Sequence, residues 1–453
     1  MPESAGHAPG RNGGGVKTPR ARVRFVPARK GQVLQIPTRL PGTNIILQRF
    51  GPLLGRRRTR ESMELLRQVH SAHNALRRAA SAIRGRGINI FTQWVGDPDA
   101  LGSAVVLRAI LTELGASEVR ILTGRLGHPQ NRNLVDRCGI RLRHPNKERL
   151  ARGLSCMVDT SPPVGMAATL GMDPVRDYFF VADHHADPAD VEENCRARGV
   201  RIVKLAYVGL PVGSTSAFMA VLGYSFDVLE SLGPAGRAAA ALGIYTDTSA
   251  LLHGATPLDF KMFEVLTKDE AAQDILDELR DYRVPGEWYV YKAAAFQNME
   301  VTGAVRVAPI GFVREEHRDV IAEIANELLR IEGTSIGVAV AVTERGTEVS
   351  LRADSRLLGE QPSRIVRVID RLLETACPGV SGFKYQRRPP HRVEGGACLP
   401  LTEREERELR PSFGKPNGGG DIVLAHCRFV ARMLVGSIQA LKDASPADVI
   451  GLL

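Results

Sequence analysis

Four aspartate-centred segments carry the residue types that bind divalent cations. They are Asp97-Pro98-Asp99 after the apolar run 88–94, Asp159 after 155–158, Asp183-His184-His185 after 178–181, and Asp247 within 243–248. Carboxylate oxygen suits hard cations such as Mg, and imidazole is accepted by Mn, so Asp and His drawn from several segments can form a cage for two ions. Two ions held roughly 3.5–4 Å apart can activate water and stabilise both the attacking and the leaving oxygen at phosphorus. AspXAsp places two carboxylates on one turn, where each can reach a different ion, and one further carboxylate must bridge the pair. Read singly, each segment is weak, because an Asp at a strand end is most often a helix cap or a turn residue. The ordered set of four is a much stronger signal.

Residues this far apart in sequence meet only if the fold delivers them to one place. Each of the four segments is predicted to end a short apolar strand, and in an open parallel sheet the strand carboxyl ends gather along one edge, where ligand crevices form. From about residue 86 the chain alternates apolar strands and helices, which argues for an α/β layered domain. The expected strands are 88–94, 118–122, 155–158, 178–182 and 200–207. Helices are expected over 103–114, 214–222, 235–242 and 257–266, and a polar helical stretch, 268–282, reaches Val284-Pro285-Gly286. A second unit beginning near Glu287 carries a strand pair, 336–342 and 348–353, then a helix over 363–375 and, after Gly418-Gly419-Gly420, an apolar helical segment. The domain organisation read from this pattern is a basic, largely disordered arm at 1–60, a helical lead-in at 61–85, a catalytic domain at 86–267, a helical linker at 268–286 and a substrate-binding domain at 287–453.

Charge is concentrated at the start of the chain. The 453 residues carry a net +10, and residues 1–60 hold thirteen Lys or Arg against one acid, Glu3, so the arm is +12 and the remainder −2. Clustered arginines such as Arg56-Arg57-Arg58 can attract polyanions in a salt-dependent way, or simply solubilise an extension. No apolar run approaches the roughly 20 residues of a membrane helix, and no export signal is evident, so a cytoplasmic protein is expected. Six cysteines (Cys138, Cys156, Cys195, Cys377, Cys398, Cys427) lack CxxC pairing, so neither a zinc cluster nor a disulfide framework is suggested.

The four segments, in this order, resemble the DHH phosphoesterases that carry a C-terminal DHH-associated domain, over about residues 86–430. The matching runs are Asp97-Pro98-Asp99-Ala100-Leu101-Gly102-Ser103, Val158-Asp159-Thr160, Asp183-His184-His185 and Asp247-Thr248. The resemblance implies a parallel-sheet domain followed by a smaller α/β domain, two divalent ions (Mn or Mg), and hydrolysis of short oligonucleotides or nucleotide phosphates. It is nearest to the type that trims short RNA oligomers and dephosphorylates phosphoadenosine phosphate. It also implies roles. Asp97 and Asp159 would hold one ion, and Asp99, Asp159, His184 and Asp247 the other, with Asp159 bridging. His185 would face the substrate phosphate and Asp183 would orient the imidazoles. In the second domain, Arg352 and the backbone of Gly418, Gly419 and Gly420 would grip a terminal phosphate. Partners would be short single-stranded RNA or DNA oligomers or nucleotide phosphates, with no membrane; a homodimer stays open.

Three positions depart from that pattern. Gln93 stands where the family has a His ligand; its carbonyl can coordinate but carries no charge, so an ion there would be held more weakly. Asp421 replaces the His that follows the triple glycine, putting a negative charge near the phosphate grip. Ser249 replaces the glycine of the family's AspThrGly. Three function classes therefore remain open: a metal-dependent phosphoesterase, a non-catalytic nucleotide or RNA binder, and a manganese pyrophosphatase, whose basic phosphate clamp has no match here.

Overall fold

The computed structural model describes residues 51, 53, 60–143, 154–161, 177–185, 188–197, 199, 201–252, 254–354, 384–388, 392–413 and 420–443. The basic arm up to residue 50, the helix expected over 363–375, Cys377, Gly418 and Gly419 lie outside the described residues.

The first sheet is formed by β1 (Gly87–Phe91), β2 (Glu118–Leu122), β3 (Leu142–Arg143), β4 (Leu154–Val158), β5 (Asp177–Asp183) and β6 (Arg201–Val208). All pairs are parallel and the order is β3-β2-β1-β4-β5-β6. The strands read as continuous apolar runs because helices cover both faces. Ile88, Ile90, Cys156, Val158, Phe180 and Ala182 pack into the larger core on one side, whereas Phe91, Met157 and Val181 join a smaller cluster on the other with Val191 and Cys195 of the helix Pro188–Ala197. The direction of strand progression reverses between β1 and β4, and such a switch point opens a crevice at the strand carboxyl ends. Asp97-Pro98-Asp99 follow β1 and Asp159 follows β4, so the reversal puts them at that crevice.

The fourth segment arrives differently from expectation. Asp247 does not end a strand; it closes the helix Gly233–Asp247, whose Ala238–Ala241 run has the highest helix propensity and too little β-branching for a strand. This helix packs on the helix Pro98–Glu113, and both are apolar around most of their circumference, as is the helix Thr215–Ser225 beside them. Close approach depends on two glycines. A Cβ on Gly102 would stand 2.7 Å from the Ala239 carbonyl oxygen, and one on Gly243 would stand 2.9 Å from both Asp99 Cα and the Pro98 carbonyl oxygen and would run into Ser216. These are backbone atoms on buried helices, so they cannot yield cheaply.

A second six-stranded sheet follows, with β7 (Glu300–Thr302), β8 (Val305–Phe312), β9 (Ile336–Thr343), β10 (Gly346–Asp354), β11 (Lys384–Arg388) and β12 (Arg392–Leu399) in the order β11-β12-β10-β9-β8-β7. Only β8 and β9 pair in parallel. Alternation along β10 sends Val349, Leu351 and Ala353 into a core shared with Val423, Cys427 and Ala431 of the helix Gly420–Asp443. Glu348, Ser350, Arg352 and Asp354 consequently share the opposite face. Of the described cysteines, Cys156, Cys195 and Cys427 are buried, and among the described residues no helix is long and apolar enough to cross a membrane.

The helix contact yields a prediction. Gly102→Ala and Gly243→Ala should each lower stability by about 1–3 kcal/mol, because both overpack buried backbone. Gly436→Ala, in the helix Gly420–Asp443 with open space around its Cβ, should instead raise it by about 0.5–1 kcal/mol. Urea titrations of the three variants check both signs.

Candidate metal and phosphoester site

Asp97 caps the helix Pro98–Glu113: its Oδ1 accepts the Ala100 N–H at 2.9 Å, and Pro98 follows at the first helical position, where a missing N–H is harmless. Asp99, the next residue along that first turn, is fully buried and accepts two backbone N–H bonds from the start of the helix Thr215–Ser225, Thr215 N to Oδ2 at 2.8 Å and Ser216 N to Oδ1 at 2.7 Å. These are donors that no intrahelical carbonyl can satisfy, at the end of a helix that favours negative charge. Asp159 sits just past β4 with φ of +59°, a left-handed conformation uncommon outside glycine but tolerated by Asp. Its amide donates to the Ala182 carbonyl at 2.8 Å, and its Oδ1 accepts the Thr215 hydroxyl at 2.9 Å. Asp183 at the end of β5 accepts the Ser161 hydroxyl at 2.6 Å and the His185 backbone N–H at 3.0 Å, and meets His185 Nδ1 at 3.1 Å.

The histidines complete the cluster. His184 Nε2 lies 3.0 Å from Asp247 Oδ2, 3.7 Å from Asp99 Oδ2 and 3.7 Å from Asp159 Oδ1. His185 Nδ1 lies 3.6 Å from Asp159 Oδ1. Two sets of potential ligand atoms each fall within 4.8 Å of one another: Asp99, His184 and Asp247, and Asp159, His184 and His185. These sets contain four of the six metal positions expected from sequence, Asp99, Asp159, His184 and Asp247; Asp97 belongs to neither, though its charge acts on Asp99 and Asp159. Gln93 donates its amide N–H to Asp97 Oδ2. His185, expected to face substrate, also stands within ligand reach of Asp159.

Electrostatics show what the cluster lacks. Burial and the neighbouring Asp247 push the Asp99 carboxyl up to about 6, with Asp97 adding to the repulsion. Asp159 is raised well above the carboxylate range by burial and then by Asp99, Asp97, Asp247 and Asp183. Burial also works against the positive form of His184, but the Asp247 carboxylate, aided by Asp99 and Asp183, more than offsets it and holds the imidazole up at about 9. Asp183 is the exception. Burial would raise it, yet the bonds from His185 and Ser161 hold it below its ordinary value. Asp159 Oδ2 is buried with no hydrogen-bond partner, and His184 Nε2 is aligned with no acceptor despite three nearby carboxylates. An unpartnered buried carboxylate oxygen, an unaligned imidazole nitrogen and mutually repelling acids are the surroundings a divalent cation would satisfy, and the donor set of carboxylate oxygens and imidazole suits Mn or Mg.

Thr215, Ser216 and Ser161 carry no mark in the sequence that sets them apart. Their signal is faint: Ser214-Thr215-Ser216 reads as an ordinary helix start, and only the tertiary structure reveals that its donors face Asp99 and Asp159. After Asp247, Ser249, Ala250 and Leu251 are all left-handed, with φ of 49°, 62° and 62°. Three successive non-glycine residues there store strain at the rim of the cluster. In the second sheet, Arg352 is buried and its described hydrogen bonds go to Asn326 Oδ1 (2.8 Å), Ser350 Oγ (3.2 Å) and the Leu351 carbonyl (2.9 Å), with Glu394 at 3.8 Å. Gly420, left-handed at φ of 76°, opens the helix Gly420–Asp443, and Asp421 is exposed in its first turn.

No family model matches the chain. An uncharacterized protein of Methanocaldococcus jannaschii is 26% identical over 280 residues, which is 60% of this chain and 53% of the relative, so the chain spans about half the length of that relative. Among solved structures, an exopolyphosphatase-related protein from Bacteroides fragilis is similar with a TM-score of 0.50 at 14% identity, covering 80% of this chain and 98% of that one. A DHH domain from a member of a ribosomal-protein family gives a TM-score of 0.38 at 12% identity, over 78% and 91% of the two chains. At this identity the likeness to the exopolyphosphatase-related protein establishes a shared fold, which in this chain is a six-stranded parallel sheet followed by a second six-stranded sheet.

The charge balance makes two outcomes measurable. Asp159→Asn keeps the acceptor for Thr215 and tolerates the left-handed backbone, but removes one of the repelling charges. It should raise the melting temperature of the metal-free protein at pH 7.5 and abolish any further rise on adding Mn. Asp99 has a folded-state value of about 6 against an ordinary 3.8, so its contribution to metal-free stability is present below pH 3.8 and lost as pH rises through 6. Protons and metal compete for the same oxygens, so the stabilisation by Mn should shrink as pH falls below about 6. Thermal melts from pH 5 to 8, with Mn or with chelator, measure both effects.

Proposed function

We propose that this chain is a DHH-type, metal-dependent phosphoesterase that hydrolyses short oligonucleotides or nucleotide phosphates using two divalent ions. The observation that carries the reading is the buried cluster of Asp99, Asp159, His184 and Asp247 with Asp97 and His185 beside it, in which like charges converge and Asp159 Oδ2 has no partner. The sequence order of the four segments and the shared fold support it.

In this reading Asp99, Asp159, His184 and Asp247 hold one ion, and Asp97 with Asp159 the other, Gln93 lending at most a neutral oxygen. When bound, such ions supply Lewis acidity toward phosphoryl oxygen and water made acidic near neutrality. The chain's own groups do the remainder. Asp183, fixed by Ser161 and the His185 backbone, anchors His185 Nδ1 and so sets the ring plane, leaving Nε2 for a substrate phosphoryl oxygen. Arg352, whose guanidinium is held by Asn326 and Ser350 beside Glu394, would meet the oxygens of a terminal phosphate, the role that the resemblance implies for it together with Gly418, Gly419 and Gly420. Fixed donors of this kind contribute most where charge develops on the phosphoryl group.

A non-catalytic nucleotide binder is the second reading, favoured by one observation: Gln93, in place of a histidine, already spends its amide on Asp97. Turnover separates the two. A labelled RNA dinucleotide, phosphoadenosine phosphate and a short polyphosphate should be assayed with Mn, Mg or chelator. Metal-dependent hydrolysis of one of the nucleotide substrates is expected, falling at least about a hundredfold in Asp159→Ala and about 10–1,000-fold in His185→Ala. Nucleotide binding without turnover on any of the three would establish the binder, and a preference for polyphosphate would replace the nucleotide assignment.

A further inference from the structure

Resting on the metal-site reading above, we infer that Thr215 is a positioning residue for the metal centre, a clip that fixes the two carboxylate oxygens facing His184. The juxtaposition is specific at the level of atoms. Thr215 donates its backbone N–H to Asp99 Oδ2 at 2.8 Å and its side-chain hydroxyl to Asp159 Oδ1 at 2.9 Å. Those are the same two oxygens that approach His184 Nε2, each at 3.7 Å. One residue therefore sets the separation of two acids that arrive from the ends of β1 and β4 and would otherwise repel one another.

Several features make the clip stiff. Thr215, Ser216 and Ser214 are fully buried. Ser214 caps the helix Thr215–Ser225 by accepting the Ala217 N–H at 3.1 Å, and its own hydroxyl donates to Asp259 Oδ1 at 3.2 Å. Asp259 Oδ2 also takes the Gly213 N–H at 2.9 Å and both Thr256 donors at 2.7 Å, so the loop entering the helix is tied to the start of the helix Pro257–Leu266. A Cβ on Gly213 would meet the Thr248 methyl and the Gly254 carbonyl, which packs this loop against the turn that follows Asp247. Thr215 gives Asp159 its only side-chain hydrogen bond among the described residues, because Oδ2 has none. Without the hydroxyl, Asp159 keeps its left-handed backbone but loses what selects its side-chain rotamer. The carboxylate would then swing away from the acids around it. Partners that orient metal ligands in this manner typically govern affinity by about 10–100-fold.

The experiment is Mn titration of the full chain by calorimetry and by metal-dependent melting, comparing wild type with Thr215→Val, which keeps the shape and removes the hydroxyl, and Thr215→Ser, which keeps the hydroxyl. Thr215→Val is expected to bind Mn about 10–100-fold more weakly and Thr215→Ser within about threefold of wild type, while the metal-free melting temperatures stay close together. If Thr215→Val fails to give a cooperative melt, Thr215→Ser against Thr215→Ala isolates the same hydroxyl. Wild-type affinity in the variant lacking the hydroxyl overturns the clip and leaves the metal site intact. No Mn binding by the wild type overturns the metal-site reading, and the clip with it.

Discussion

The mutual repulsion of buried carboxylates is the constraint around which this protein is arranged. Asp97, Asp99, Asp159, Asp183 and Asp247 converge on one crevice, where burial and mutual repulsion raise the Asp99 carboxyl to about 6 and the Asp159 carboxyl well above its ordinary value. Burying one charge without compensation is expensive, and burying several together compounds the penalty. The fold answers with fixed donors: two backbone N–H groups at a helix start for Asp99, the Ala100 N–H for Asp97, and the Ser161 hydroxyl with the His185 N–H for Asp183. Asp159, on a left-handed backbone, receives the Thr215 hydroxyl on Oδ1, and Asp99, Asp97, Asp247 and Asp183 all act against its charge. A divalent cation bound among these groups would offset that repulsion.

Packing supplies the force that holds these groups together against their charge. The helices Pro98–Glu113, Thr215–Ser225 and Gly233–Asp247 have little polar face, so their burial against the parallel sheet is the dominant favourable contribution on this side of the molecule. Their axes come close only because Gly102 and Gly243 offer no side chain at the crossing. Asp99 and Asp247 sit at the adjoining ends of two of those helices, so the same contact that fills the core sets the distance between two acids. Strain in the left-handed turn Ser249–Leu251 lies one step beyond, where the chain must leave the helix and turn away from the crevice.

Shared fold does not by itself carry chemistry, since one architecture serves many activities. What distinguishes this chain is the composition of its crevice, and there the departures from the DHH pattern have physical content. Gln93 reaches Asp97 as a hydrogen-bond donor, giving one carboxylate oxygen a partner without adding a charge. Asp421 lies exposed in the first turn of its helix, where the dipole favours an acid whatever the substrate. Arg352 is committed to Asn326, Ser350 and Glu394, which lowers the entropy lost when it meets a phosphate but also means that its charge is partly balanced beforehand.

Much of the scaffold is legible from local pattern. The strands at 118–122 and around 155, 178 and 336 are short and carry aliphatic or aromatic runs, and the helix Pro257–Leu266 begins at a Thr-Pro cap, so local pattern suffices for them. β3, with only Leu142–Arg143, is too short to leave a periodic signal. Asp247 reads as a strand end because its setting, Gly-Ile-Tyr-Thr-Asp-Thr, looks β-like over six residues, while the alanine-rich stretch upstream makes it the last turn of a helix. The sequence by itself determined which residues could bind a cation and in what order they occur, since residue type and spacing are local properties. Only the tertiary structure decided that Asp99 and Asp159 share Thr215, that Gln93 turns to Asp97, and that Asp159 Oδ2 is left without a partner, because hydrogen-bond geometry depends on how helices from distant parts of the chain cross.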